Sequence, residues 1–156
     1  MKVIYHCFGG SHSSVLAANL HVGNLSIDHF PTRRELFNLP YFDRTTDDDF
    51  GIIKLVGFDE WGNQVYSLGQ MHLGHRFHTI IKSLLTVTGT DNQVALMGTM
   101  PHVNLLMMIG GNLSRKRSLP SLGRPLLYWG TRLAYPNIIQ AVQEVKNTLR
   151  LRGIAG

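Results

Sequence analysis

Apolar residues recur at Phe77, Ile80, Ile81, Leu84 and Leu85, a spacing of i, i+3, i+4, i+7 and i+8. That stripe predicts an amphipathic helix, stopped by Gly89. Residues 2–7, rich in Val, Ile and Tyr, read as a strand that Gly9 and Gly10 break. Ser11 or Ser13 can then cap a helix to about residue 22, with Gly23 at its end. Pro31 suits the first turn of a short helix over 33–38, and Pro40 stops it. Residues 41–51 form a polar, acidic loop. Residues 52–58 and 64–68 read as two strands joined by Asp59-Glu60-Trp61-Gly62-Asn63, a β-hairpin. The apolar run 93–100 lacks alternation, as a strand buried on both faces does. Pro101 opens a further helix that Gly110 and Gly111 end, followed by a long loop over 112–125. A last strand is expected over 126–129. Pro136 then starts a C-terminal helix with Ile138, Val142, Val145 and Leu149 on one face.

Strands alternating with helices argue for an α/β fold. The expected architecture is a single three-layer domain over residues 1–156, with a mostly parallel sheet and an added hairpin. Its first βα unit would be P-loop-like or Rossmann-like. Ligands in open α/β sheets sit outside the carboxyl ends of the strands. The working edge is therefore expected at residues 7–14, 98–104 and 129–132. The strands at 2–7, 93–100 and 126–129 are expected to be parallel neighbours.

The composition narrows the class. Hydrophobic residues make up 44% and charged residues 16% of 156, which excludes a disordered chain and a coiled coil. One cysteine excludes a disulfide framework and a Cys-rich zinc module, and fits a reducing compartment. Residues 1–7 lack the features of a signal peptide, so a cytoplasmic location is expected. The uncharged apolar stretch over 94–109 has 16 residues, short of the roughly 20 needed to span a bilayer, so no membrane span is expected.

Charge is unevenly spread. Residues 1–100 hold seven Lys/Arg against nine Asp/Glu, whereas residues 101–156 hold eight against the single acid Glu144. A basic half points to an anionic partner, whether phosphate, nucleotide, nucleic acid or membrane surface; the alternative is a soluble protein with a basic C-terminal helix. Only Tyr128, Trp129 and Tyr135 are interleaved with those basic residues, a weak signal for single-stranded nucleic acid.

The densest chemistry lies in His6-Cys7-Phe8-Gly9-Gly10-Ser11-His12-Ser13-Ser14, between the first strand and the first helix. Gly9 and Gly10 let backbone N–H groups converge, the helix N-terminus adds partial positive charge, and Ser11, Ser13 and Ser14 add hydroxyls. The alternative is a plain Gly-Gly turn with a serine cap. The P-loop pattern itself fails, because Ser13 stands where its lysine belongs. The HCx5R pattern of Cys-based phosphatases is met at His6-Cys7, but its arginine is again Ser13. Serine cannot offer a planar fork to phosphoryl oxygens. Cys7 can be a nucleophile favoured by the helix N-terminus, or a small buried hydrophobe.

Three separated segments, HCFGGSHSS, ELFNLPYFD and GFDEWGNQVYSLG, resemble an uncharacterised family of short proteins from spore-forming Firmicutes, domain-of-unknown-function family 3189. The resemblance covers nearly the whole chain. It implies a bacterial, cytoplasmic protein and lends no activity, cofactor or catalytic residue.

Beyond the first loop, His12 and His102 both follow strand ends and can face one cleft, in acid–base or capping roles. Thr99 lies beside them. His72, His75 and His78 fan around a helix start without a carboxylate or Cys to complete a zinc site, so no metal is expected. Asp43, Asp47, Asp48 and Asp49 read as a solvated loop more readily than as a magnesium site. Arg115, Lys116 and Arg117 sit in a loop long enough to close over an anion. Two functions follow. One is a phosphate- or nucleotide-binding protein, with or without catalysis, using Gly9–Ser14, Thr99 and the Arg115–Arg117 loop, with Cys7, His12 and His102 as reacting groups. The other is a non-catalytic regulatory module that docks a macromolecule on its basic C-terminal part. No motif specifies a cofactor.

Overall fold

The computed structural model describes residues 1–116 and 119–154, with side chains for all of these except 116 and 152–154. Strand β1 (Lys2–Cys7) is buried at every position after Lys2, as befits a strand with neighbours on both edges. It pairs in parallel with β3 (Gln64–Gly69) on one side and β4 (Val94–Gly98) on the other. Strand β2 (Lys54–Phe58) joins β3 antiparallel, with a register irregularity between Leu55 and Gly57. The sheet order is β2-β3-β1-β4. The expected parallel pairing of the first strand with residues 93–100 and the added hairpin are both present.

Alternation along β1 sorts the core into two layers. Val3 and Tyr5, with Val65 of β3, face helices α1 (Ser13–His21) and α5 (Pro120–Ile154). Ile4, with Leu68 and Leu96, faces Phe77 and Ile81 of α3 (His75–Thr88). All nine residues of α1 are buried; Val15, Leu16, Ala17, Ala18 and Leu20 fill the core, and the polar Ser13, Ser14, Asn19 and His21 are buried with hydrogen-bond partners. The short helix α2 (Arg33–Asn38) opens with a capping box between Thr32 and Glu35.

The region after β4 departs from expectation. Residues 126–129 are not a strand; they lie inside α5, which runs unbroken through Pro125 and Pro136. Each internal proline removes one i→i−4 hydrogen bond, so helix formation there rests on burial. Tyr128 and Tyr135, seven residues apart on one helix face, both pack edge-on against Phe30. Leu127, Ala134, Ile138 and Val142 continue the buried face. A four-residue run Leu-Leu-Tyr-Trp fits a strand or a buried helix equally, and tertiary packing decides. The third βα junction expected at 129–132 therefore does not exist.

Helix α4 (Leu105–Gly111) lies against α5 with backbones nearly touching. A Cβ on Gly110 would meet the Leu127 nitrogen at 2.4 Å, and one on Gly123 the Ser114 nitrogen at 2.4 Å. Gly110, expected to end a helix, thus also permits helix contact. Among the described residues, no helix is long and apolar enough to cross a membrane.

The order β3-β1-β4 opens the site. From β1 the chain reaches β3 on one edge, then passes through α3 to β4 on the opposite edge. Helices α1 and α3 cover opposite faces, so the segments leaving β1 and β4 diverge. Such divergence at the carboxyl ends of neighbouring parallel strands leaves a crevice.

Candidate functional site

At the end of β1 the chain must turn sharply into α1. Gly10 takes φ +60°, and a Cβ there would meet the Gly69 nitrogen at 2.4 Å and the Leu68 carbonyl carbon at 2.9 Å. Only glycine tolerates both the conformation and the contact. The turn is thereby pressed onto the end of β3, which the sequence pattern did not show. It aims the Gly10 N–H at Cys7 Sγ, 3.1 Å away. Ser14 Oγ, in the first turn of α1, lies 3.1 Å from the same sulfur.

Ser13 is fixed from the other strand. Thr99 Oγ1 donates to Ser13 Oγ at 2.9 Å, and the Thr99 N–H donates to the His6 carbonyl at 2.9 Å. Thr99 thus clamps the ends of β1 and β4 and lies behind the serine. His12 occupies the N-cap of α1 but makes no capping hydrogen bond. Its imidazole instead meets Asp43, with Nε2 3.2 Å from Oδ1, and rests edge-on against Phe42.

Asp43 is a hub. It is 2% exposed and has φ +53°. Besides His12, its carboxylate accepts from Ser114 Oγ at 2.7 Å and Arg124 Nε at 2.9 Å. Burial alone would raise its pKa, but the hydrogen bonds from His12, Arg124 and Ser114 outweigh it and hold it at about 2. Its backbone N–H donates to the Ser11 carbonyl at 3.0 Å, and its own carbonyl accepts from Arg115 Nη1 at 3.0 Å. The expectation of a solvated acidic loop fails at Asp43. The tie spans partners 31, 71 and 81 residues away, a distance no local pattern reveals.

These elements enclose a crevice of about 350 Å³, within the usual size range of small-molecule sites. Its polar side carries Cys7, Gly9, Ser11, His12, Ser13 and Arg115. Phe8, Phe50, Met100, Val103, Met107 and Met108 supply apolar walls, and Thr45, Thr46 and Asp47 come from the loop before β2. Two polar atoms here are buried without a hydrogen-bond partner among the described residues: Ser11 Oγ and Arg115 Nε. Buried polar groups in folded proteins are ordinarily paired.

The expected residues thus divide. Cys7, Gly9, Ser11, His12, Ser13 and Arg115 come together around the crevice. Gly10 and Ser14 lie beneath it as partners of the Cys7 sulfur, and Thr99 supports Ser13. His102 sits half-buried on the short turn Met100–His102, away from the lining. The Lys116 side chain and Arg117 lie outside the described residues. His72, His75 and His78 are exposed. His72 packs against Phe8 and His78 against His6. Among the described residues no group of three His, Cys, Asp or Glu side chains could hold a metal ion.

A family model, protein of unknown function DUF3189, matches residues 2–147, and the chain belongs to that family. No curated protein and no solved structure gives a significant match.

Proposed function

We propose that this member of the DUF3189 family binds a small phosphate-bearing molecule, its anionic end on the turn from β1 into α1 and its body between the apolar walls. The observation that carries the reading is the uncapped, buried N-terminus of α1 beside the partnerless Ser11 hydroxyl. The first N–H groups of a helix have no intrahelical acceptor and carry partial positive charge, so an anion satisfies them. Arg115 adds formal positive charge from the opposite wall, and its Nε is unclaimed. Phe8, Phe50 and Met108 offer an apolar surface suited to a nucleoside-sized body.

Macromolecular docking on the basic C-terminal part has less support. Arg124 is bound to Asp43, Lys146 to Glu60 and the His21 carbonyl, and Arg132 lies over Trp129 and Phe30. Thermal melts with phosphate, pyrophosphate and nucleotides test the reading. A ligand at 100 times its Kd stabilises the fold by about 2.7 kcal/mol. Unchanged melting with all of them at millimolar concentration rejects it.

A further inference from the structure

Resting on that anion site, we infer that Cys7 is its reacting group: the sulfur accepts a phosphoryl group from a phosphorylated donor and holds it as S-phosphocysteine. A cysteine that merely fills core space needs no hydrogen-bond donors. Here two polar groups converge on one sulfur: the Gly10 N–H donates to it and the Ser14 hydroxyl shares a hydrogen bond with it, each at 3.1 Å. When the sulfur is anionic, Ser14 must be the donor, and both contacts stabilise the charge.

The surroundings suit the transferred group. Cys7 lines the crevice together with Ser11, whose buried hydroxyl has no partner among the described residues. The uncapped start of α1 follows directly, so phosphoryl oxygens on Cys7 would meet backbone N–H groups and the Ser11 hydroxyl. A Cβ on Gly9 would meet nothing within 4 Å, which leaves open space beside the turn. Ser13 leaves the turn itself without a cation. Arg115 brings one to the same crevice from the segment after α4. The arginine missing from the linear pattern is thus supplied by a different element.

The step balances without a redox partner. The thiol releases its proton to solvent, and a sulfur lone pair forms the S–P bond. The P–O bond to the donor breaks and its electron pair departs on the donor oxygen, as a carboxylate when the donor is an acyl phosphate.

The full chain is incubated with acetyl phosphate and followed by intact mass and by released inorganic phosphate. Melting with inorganic phosphate alone is measured in parallel. The expected result is one added phosphoryl group mapped to Cys7, or phosphate release with an initial burst, each abolished in Cys7→Ala. Cys7→Ala should still be stabilised by inorganic phosphate. Ser14→Ala should fold and react about tenfold more slowly or worse, as loss of a hydrogen bond to a charged group requires. Stabilisation by phosphate with neither label nor Cys7-dependent release overturns the inference and leaves the anion site standing. A label that persists in Cys7→Ala also overturns it. Absence of both stabilisation and reaction removes the anion site as well.

Discussion

The two ends of the sheet treat buried polar groups in opposite ways. At the amino end of the parallel strands, the Tyr5 hydroxyl meets His21 Nδ1 at 2.7 Å, and His21 Nε2 meets Asp59 Oδ2 at 3.2 Å. Asp59 also accepts from the Trp61 and Asn63 N–H groups and from Asn63 Nδ2. The Lys146 ammonium donates to the His21 carbonyl and pairs with Glu60. Burial depresses the pKa of His21 below the ordinary imidazole value, with Asp59 opposing, and burial with the Asp59 charge pushes Tyr5 upward. Protein groups complete this chain, which ties the hairpin, α1 and α5 together. At the carboxyl end, Ser11 and Arg115 keep unpaired atoms and α1 begins without a cap. A network completed by the protein stabilises the fold. One left incomplete around a crevice is the arrangement that the proposed anion site requires.

The comparison breaks most forcibly at Gly10. Gly10→Val places a β-branched side chain at φ +60° against the Gly69 backbone. Strain and overpacking together cost about 3 kcal/mol or more. Chemical denaturation should show that loss without any ligand. An unchanged midpoint would mean that the turn is not anchored on β3, and the crevice geometry would fall with it.

Acid acts next. His6, buried between the sheet and α3, is lowered from 6.5 to about 4, chiefly by burial and then by repulsion from His78. The unfolded chain takes up that proton near pH 6.5, while the folded chain resists until about 4. This contribution is therefore intact above pH 6.5 and lost as pH falls toward 4, at up to about 1.4 kcal/mol per pH unit for one proton. Asp43, held at about 2 against an ordinary 3.8, extends the decline below pH 4. Urea midpoints between pH 7 and 4 should fall for the native chain and fall less steeply in His6→Phe, where the depressed His21 still contributes. A decline of equal slope in His6→Phe would assign the window to other groups.

How much of this was legible depends on how local each signal is. Strand β1, the hairpin and α3 carry their own periodicity and turn residues, so strands over 2–7 and 64–68 and a helix through Phe77–Leu85 could be read directly. The side of the crevice formed by the turn from β1 into α1 is equally local, since Cys7 to Ser14 form one continuous segment. Its other walls come from residues 45–50 and 100–115, which meet the turn only through tertiary packing. Asp43 resembled its solvated neighbours because nothing nearby in sequence reveals His12, Ser114 and Arg124 around it. The prolines of α5 misdirected the reading at 126–129. Local backbone preference is outweighed there by a face that buries Leu127, Tyr135 and Ile138.

A smaller effect is expected inside the completed network. Tyr5→Phe removes one hydroxyl and leaves His21 Nδ1 buried without its 2.7 Å partner. The cost is about 1–3 kcal/mol, the penalty of a stranded polar atom. Binding at the far end of the sheet should be untouched. A stability equal to that of the native chain would show that water replaces the hydroxyl, and that this end is less closed than its geometry indicates.

The smallest stability change should come from Ser11→Ala, and it separates the two ends most sharply. At the amino end, removing a polar group destabilises because its partner is stranded. Ser11 Oγ strands nothing, because it has no partner among the described residues. Its removal should leave the ligand-free protein unchanged or more stable by up to about 1 kcal/mol, since an unsatisfied buried hydroxyl is lost. The same change should reduce the stabilisation given by inorganic phosphate, because the anion loses a donor. Opposite movement of the two quantities is the signature of a group held ready for a ligand. A structural serine would lose stability alone, and an irrelevant one would change neither. Paired melts of the native chain and Ser11→Ala, with and without phosphate, decide between them. A destabilised Ser11→Ala with an undiminished phosphate response would place Ser11 among the structural groups and move the anion away from the turn.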